Sequence, residues 1–256
     1  MRSTLLAGTV AATTAGLLVG GAAYAAFYPT SQIFGRVLLA GRDPLELALT
    51  YDDGPNPAVT PYLLELLASR GVRATFFLIG KFVRQQPALA RGIAQAGHLV
   101  GNHTMTHPRL AFQSRARIRE ELLDTNSLLE DVLGSPVRYF RPPHGARRPY
   151  VIDAARELGL STVQWNVTGF DWHPIGPDGI SANVDRGIAR NHRARRGSNI
   201  LLHDGSHLGI GADRMATLGA TGRILQQQLS AVFVTVDVWS ESESSQGLKA
   251  GRRLPD

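Results

Sequence analysis

The sequence predicts an α/β protein built on parallel strands, and three observations predict it. Short apolar runs of strand length alternate with amphipathic stretches of helical length, seven strands in all between Leu45 and Val238. Polar residues able to do chemistry recur just after those strands, where the active face of a parallel barrel lies. The chain has 256 residues, 43% of them hydrophobic, enough to bury one large core. Seven units allow a closed barrel, with a doubly wound open sheet as the alternative. No G-x-G-x-x-G or G-x-x-x-x-G-K-[ST] follows the first strand, so nucleotide binding has no support.

The elements follow in order. Leu45, Leu47 and Leu49 alternate with Glu46, Ala48 and Thr50, a strand that ends at Tyr51-Asp52-Asp53. Thr60-Pro61 offers an N-cap and a proline at the first helical position, and Gly71 closes that helix behind a stripe of Leu63, Leu64, Leu66 and Leu67. The second strand is Ala74 to Ile79, with a helix from Pro87 to Ala96 after it. The third is His98 to Gly101, followed by a charged helix from Arg115 to Leu133. The fourth, Val137 to Phe140, is ended by Arg141-Pro142-Pro143, and a helix from Pro149 to Leu158 follows. The fifth, Ser161 to Val167, runs into a Gly/Pro-rich loop that reaches Gly179, then a helix near Ala182 to Asn191. The sixth is Asn199 to Leu202, and a helix near Met215 to Leu229 precedes the seventh, Ala231 to Val238. There is no internal repeat.

The ends of the chain read differently. Arg2 precedes an uncharged run, and Ala23-Tyr24-Ala25 fits a small-residue cleavage site. Residues 1–30 read as an export signal or, since Leu5 to Tyr28 is long enough to cross a bilayer, as a retained anchor. The globular domain is expected over 31–240. Residues 241–256 are mostly Ser, Glu, Gly and Arg and read as a disordered tail.

Composition narrows the chemistry. The chain has no cysteine, which excludes disulfides, thiolate metal sites and cysteine nucleophiles. Any metal must be held by His, Asp or Glu. The net charge is +6, and all but Lys81 and Lys249 of the 27 basic residues are arginine. They are dispersed except for a cluster from Arg186 to Arg196, which argues against a nucleic-acid partner. The charge reads as a solvated basic face, or as attraction to an anionic polymer or surface.

The strand ends deliver Asp52 and Asp53, then His103 and His107, then Arg141 and His144, then Asp171 and Trp172, then His203. His103 and His107 have H-x-x-x-H spacing, which on a helix turns both imidazoles the same way. Two imidazoles and a carboxylate make a facial ligand set with open positions for water. Alone, the histidine pair is weak evidence, and its company strengthens it. Asp52 and Asp53 repel one another unless one is neutralised, as by a metal; an Asx turn capping the next helix is the plain alternative. Plain alternatives stand beside the others too: a surface ion pair for Arg141, a loop turn for Asp171-Trp172, core packing for Leu201. His98 reads as structural, His192 as solvated, and His173 and His207 as loop residues on the active face.

Taken in order, Thr50-Tyr51-Asp52-Asp53-Gly54-Pro55, His103-Thr104-Met105-Thr106-His107, Arg141-Pro142-Pro143-His144-Gly145, Asp171-Trp172 and Leu201-Leu202-His203-Asp204 resemble the motifs of the polysaccharide deacetylases with a NodB-homology domain, carbohydrate esterase family 4. The resemblance spans roughly residues 45–240 and implies an irregular (β/α)7 barrel. It implies Asp53, His103 and His107 as metal ligands, for Zn²⁺ or another divalent ion such as Co²⁺. It implies Asp52 as general base with Arg141 as its partner, and His203 as general acid tuned by Asp171. It places a backbone N–H at His144 on the oxyanion, and Leu201 with Trp172 or Trp165 around the acetyl methyl. Three positions depart from the family pattern: His144 stands where tyrosine is common, Thr168 where an aspartate is common, and Tyr51 where phenylalanine is usual.

The resemblance implies a hydrolase of carbon–nitrogen bonds, removing N-acetyl groups from an extracytoplasmic glycan such as peptidoglycan or a chitin-like polymer. Two alternatives are an O-acetyl esterase on a xylan-type polymer and a non-catalytic carbohydrate-binding relative. The expected partner is the acetylated polysaccharide, with no nucleic acid and with membrane anchoring only through the N-terminal segment. The chain is expected to be a monomer, exported and either secreted, held in the periplasm or cell wall, or anchored to the outer face of the cytoplasmic membrane.

Overall fold

A computed structural model of the chain describes residues 20–240. Residues 1–19, most of the expected leader, and residues 241–256, the expected tail, lie outside the described residues. No helix among the described residues is long and apolar enough to cross a membrane.

The architecture is a curled, parallel half-barrel of eight strands with helices on its outside. The elements are β1 (Glu46–Gly54), α1 (Thr60–Ser69), β2 (Thr75–Leu78), α2 (Gly80–Gln85), α3 (Pro87–Gln95), β3 (Leu99–Asn102), α4 (Arg115–Leu133), β4 (Tyr139–Phe140), α5 (Pro149–Glu157), β5 (Ser161–Thr162), β6 (Val167–Thr168), α6 (Gly176–Arg193), β7 (Ser198–His203), α7 (Met215–Gln227) and β8 (Val232–Phe233). The sheet order is β5-β4-β3-β2-β1-β7-β6, with β8 beside the start of β1. Every pairing is parallel.

Side-chain alternation along β1 divides the molecule. Leu47, Leu49 and Tyr51 face outward into the main apolar layer, against Leu63 and Leu67 of α1, Val184 of α6 and Ile224 of α7. Ala48 faces inward and joins Phe77, Val163, Val236 and Trp239, which plug the inside of the curl. The inward positions above it are polar, Thr50 and Asp52, and both are buried. The Tyr51 hydroxyl hydrogen-bonds the Thr221 hydroxyl at 3.0 Å, so this departure from phenylalanine is accommodated within the packing.

The helices obey their end signals. Ser114 caps α4 by accepting from the Arg117 N–H at 3.2 Å, and Gly134 ends it at φ +67°. Its buried stripe of Ile118, Leu122, Thr125 and Leu129 matches the helical period.

Four expectations need correction. The expected fifth strand is two strands: β5 pairs with β4, β6 pairs with β7, and the chain crosses the open seam of the curl between them. Within that crossing, the Gln164 N–H goes to the Leu38 carbonyl and the Asn166 N–H to the Asn199 carbonyl. Next, α6 begins at Gly176, because Pro177 and Asp178 open a helix here where a loop was expected. Thr60 does not cap α1; its hydroxyl accepts from the Asn56 N–H and donates to Asp204. Finally, His103 and His107 are not on a helix but in the loop after β3.

The sequence sets residues 1–30 apart, yet from Ala25, which is buried, the chain packs on the domain. The Arg147 guanidinium, also buried, donates to the carbonyls of Tyr28, Pro29 and Ser31. Leu38 then bridges to Val163 at the seam.

Candidate active site and metal centre

The C-terminal ends of the strands surround a cavity of about 500 Å³. It is lined by Asp52, Asp53, His103, His107, His144, Trp172, Leu201 and His203, eight of the ten residues singled out from the sequence. The other two, Arg141 and Asp171, are buried directly behind Asp52 and His203.

Consecutive strand residues point to opposite faces, so Asp52 and Asp53 should diverge. A bulge prevents this. The register slips between Asp52 and Gly54, and Asp53 takes the left-handed conformation at φ +72°. Both carboxylates then reach one cavity. Against the Asp53 carbonyl lies Gly205, where a Cβ would sit 2.1 Å from that oxygen, so only glycine permits the close approach of the two strand ends.

The two histidines converge through loop geometry. Thr104 and His107 adopt φ +67° and +63°. The Thr104 N–H donates to Asn102 Oδ1, and the His107 N–H to Thr104 Oγ1. The resulting tight turn does what one turn of helix was expected to do. His107 Nε2 lies 3.2 Å and His103 Nε2 3.5 Å from Asp53 Oδ1. All three donors lie within 4.8 Å of one another.

These residues fit a divalent cation. Asp53 Oδ1 is buried and has no hydrogen-bond partner, although it faces two imidazole nitrogens. His103 Nδ1 lies 2.8 Å from the Arg141 carbonyl, which can only accept. Nδ1 therefore carries a proton, and Nε2 is the ring nitrogen turned toward Asp53. Burial, with His103 next to it, pushes His107 down to about 2, so it is a neutral imidazole. Burial opposes ionisation of Asp53, but the hydrogen bond from His207 and the charge on the His203 imidazole hold it well below the usual carboxylate range. An anionic oxygen beside two imidazole nitrogens is a ligand set for a borderline metal.

Asp52 is held from behind. Arg141 Nη1 donates to Asp52 Oδ1 at 2.8 Å and to Thr50 Oγ1 at 2.8 Å, Nη2 reaches Asn199 Oδ1 at 3.2 Å, and the guanidinium lies over the Phe77 ring at 4.2 Å. This is no surface ion pair: Arg141 is fully buried. Asp52 Oδ2 is left facing His103 Nε2 at 3.7 Å.

Across the cavity, Asp171 holds His203. Burial by itself lowers an imidazole, but the Asp171 carboxylate outweighs it and raises His203 to about 9. Thr217 Oγ1 donates to Asp171 Oδ2, and Trp172 meets the His203 ring edge-on at 5.5 Å. His144 sits at φ +57°, and burial together with Arg109 lowers it to about 4.

Several contributors carry little sequence signal. His207 donates its backbone N–H to Asp53 Oδ2 at 3.1 Å and stacks on His107 at 4.5 Å. Thr50 and Asn199 hold Arg141 from neighbouring strands. Their signal is a polar residue at an inward position of an otherwise apolar strand. Asp204 turns away from the cavity to Thr60 and is raised to about 7 by burial. His98 is structural: its Nδ1 accepts from the Ala74 N–H.

The family model for polysaccharide deacetylase matches residues 41–163. The chitooligosaccharide deacetylase of Sinorhizobium fredii is 41% identical over 158 residues, covering 61% of this chain and 71% of that protein. The chain belongs to the polysaccharide deacetylase family. A second relative, the peptidoglycan-N-acetylglucosamine deacetylase of Bacillus cereus, is 36% identical over 195 residues, covering 74% of this chain and 85% of the relative. The crystal structure of the Bc1960 peptidoglycan N-acetylglucosamine deacetylase superposes with a TM-score of 0.71 at 31% identity, covering 78% of this chain and 91% of that one. This polysaccharide deacetylase therefore shares the irregular (β/α)7 barrel of its relatives, with the curl open at the β5–β6 seam.

Proposed function

We propose that the chain is a metal-dependent N-deacetylase of an extracytoplasmic glycan. One observation carries the reading: a three-donor cation site lies between a carboxylate held by a buried arginine and an imidazole held by a buried carboxylate. Paired titratable groups pushed apart by their surroundings mark the base and the acid of a hydrolase. Asp53, His103 and His107 would hold the cation, and their nitrogen and oxygen donors suit Zn²⁺ or Co²⁺. Bound there, it supplies Lewis acidity, lowering the pKa of a water and polarising the acetyl carbonyl.

The remaining work falls to this chain's own groups. Asp52 takes the proton of the attacking water through Oδ2, while Arg141 keeps Oδ1 engaged and the carboxylate in place. The His144 backbone N–H is the candidate donor to the developing oxyanion. His203, fixed through Nδ1, gives its Nε2 proton to the departing amine nitrogen. Leu201 and Trp172 form the apolar wall for the acetyl methyl. The products are acetate and a free amine. Export fits this reading, because the polymers concerned lie outside the cytoplasm and residues 1–30 read in sequence as a leader.

The test is acetate release from peptidoglycan, chitin oligomers and acetylxylan, with and without a chelator. The expected result is release from an N-acetylated glycan, abolished by chelation and restored by Zn²⁺ or Co²⁺. Release from acetylxylan alone would make the chain an esterase, chelator-insensitive release would remove the metal, and glycan binding without acetate would make it a binding protein.

A further inference from the structure

Next to the catalytic cavity lies a second one, of about 630 Å³, and the two share Trp165 and Trp172 as a common wall. Its size falls in the range of small-molecule sites. Phe170 stands on its rim, 5.4 Å from Trp172 and edge-on to it, and both rings are more than two-fifths exposed. Exposed aromatic faces of this kind suit the apolar face of a sugar ring. The opposite side is formed by Arg186 and Arg190, one turn apart on α6 and both exposed. No aspartate or glutamate lines the cavity.

The two guanidiniums are oriented by neutral acceptors. Arg190 donates to the Asn166 carbonyl at 2.6 Å and Arg186 to Asn183 Oδ1. Neither makes an ion pair among the described residues, so both keep their full charge toward the groove. Arg193 continues the stripe one further turn along the helix. This is the arginine cluster that the fold and the catalytic centre leave without a task.

We propose that this groove is a glycan subsite that seats a sugar neighbouring the one deacetylated, and that Arg186 and Arg190 pair with a carboxylate on that sugar. The proposal rests on the N-deacetylase reading and narrows it: the preferred polymer is acid-bearing, not neutral. Two stacking rings, two guanidiniums without an ion pair and no competing acid form a site that a neutral sugar meets through the rings alone and an anionic sugar through rings and charge together.

The test compares three N-acetylated oligomers of equal length: neutral N-acetylglucosamine, one with alternating lactyl-ether carboxylates, and one with alternating uronic acids. The acid-bearing forms should be turned over with kcat/KM roughly tenfold or more above the neutral one, through KM. The advantage should shrink as salt rises from about 50 to about 500 mM. Arg186→Gln/Arg190→Gln should erase it while leaving turnover of the neutral oligomer within about twofold, since charge-assisted pairing is all that is removed. Which acid gains more identifies the source of the carboxylate. Calorimetric titration of the same oligomers into the chelated protein gives a readout free of turnover, and the double variant should there lose preferential binding of the acids. Equal kcat/KM and equal binding for acidic and neutral oligomers, or a preference that survives the double substitution, would overturn the subsite. Preferential binding with no acetate released would instead sink the deacetylase reading and leave the subsite standing.

Discussion

The Asp171 carboxylate holds His203 at two points: Oδ2 accepts the His203 backbone N–H at 2.7 Å and Oδ1 meets Nδ1 at 2.8 Å. The double contact fixes both the ring's direction and its proton, leaving Nε2 for the cavity. It also sets the pH range in which an acid is present, because His203 stays protonated up to about 9.

Asp171→Asn should therefore move the alkaline limb of the pH–rate profile. In the unaltered protein, amide turnover should fall as pH rises through about 9. Without the Asp171 carboxylate, only Asp53 and Asp52 are left to oppose burial, so the imidazole pKa falls and the limb moves to lower pH. The same pair contributes stability in full below 6.5 and loses it as pH rises through about 9, since the folded pKa is the raised one. Melting temperatures from pH 6 to 10 should fall in that window, and the fall should be flattened in the variant. An unshifted profile would remove His203 as the acid.

Asp52→Asn and His107→Ala separate the base from the ligands. Asp52→Asn should keep its metal and lose about a hundredfold or more in kcat, the ordinary worth of a positioned base. His107→Ala should lose metal and activity together, because it removes one of three donors. Metal content by atomic absorption, beside acetate release, checks both. An Asp52→Asn protein with undiminished turnover would place the base elsewhere.

Arg141→Met tests the buried support of Asp52. Breaking a buried pair leaves an uncompensated charge, which costs about 3–5 kcal/mol. Denaturant unfolding should show a loss of that order, together with lower turnover. Arg141→Lys should recover little, because a point charge cannot reach Asp52, Thr50 and Asn199 together.

Gly205→Ala probes the approach of the two strand ends. The added carbon would meet the Asp53 carbonyl at 2.1 Å, so the bulge that aims Asp53 must move. Metal affinity should fall about ten- to a hundredfold, the usual cost of disturbing what orients a ligand. Competition with a chromophoric chelator measures it, and an unchanged affinity would show that the bulge yields without moving the carboxylate.

The residues proposed to bear chemistry were legible in the sequence because a parallel fold delivers them at strand ends. Asp52, His103, Arg141 and His203 all lie where β1, β3, β4 and β7 stop. What was not legible depends on partners far away in the chain. The break between β5 and β6 is set by Leu38 and Asn199, not by the run from Ser161 to Val167 itself. Thr60 resembles a cap until Asp204, 144 positions away, claims its hydroxyl. The loop that joins His103 to His107 mimics a helical spacing with two left-handed residues, which no periodicity reveals.

The contact between Arg147 and the backbone of residues 28–31 bears on where this protein can be cut. The family match starts at residue 41, and a fragment begun there would keep every motif residue. It would also strip the Arg147 guanidinium of three carbonyl acceptors, leaving only that of Gly145, the residue after His144, and it would remove the Leu38 rung at the seam. Cut there, the guanidinium loses both its built acceptors and the segment that covers it, and must turn to water instead. The smallest fragment that carries the chemistry is thus shorter than the smallest that is whole, and an expression boundary belongs upstream of Tyr28.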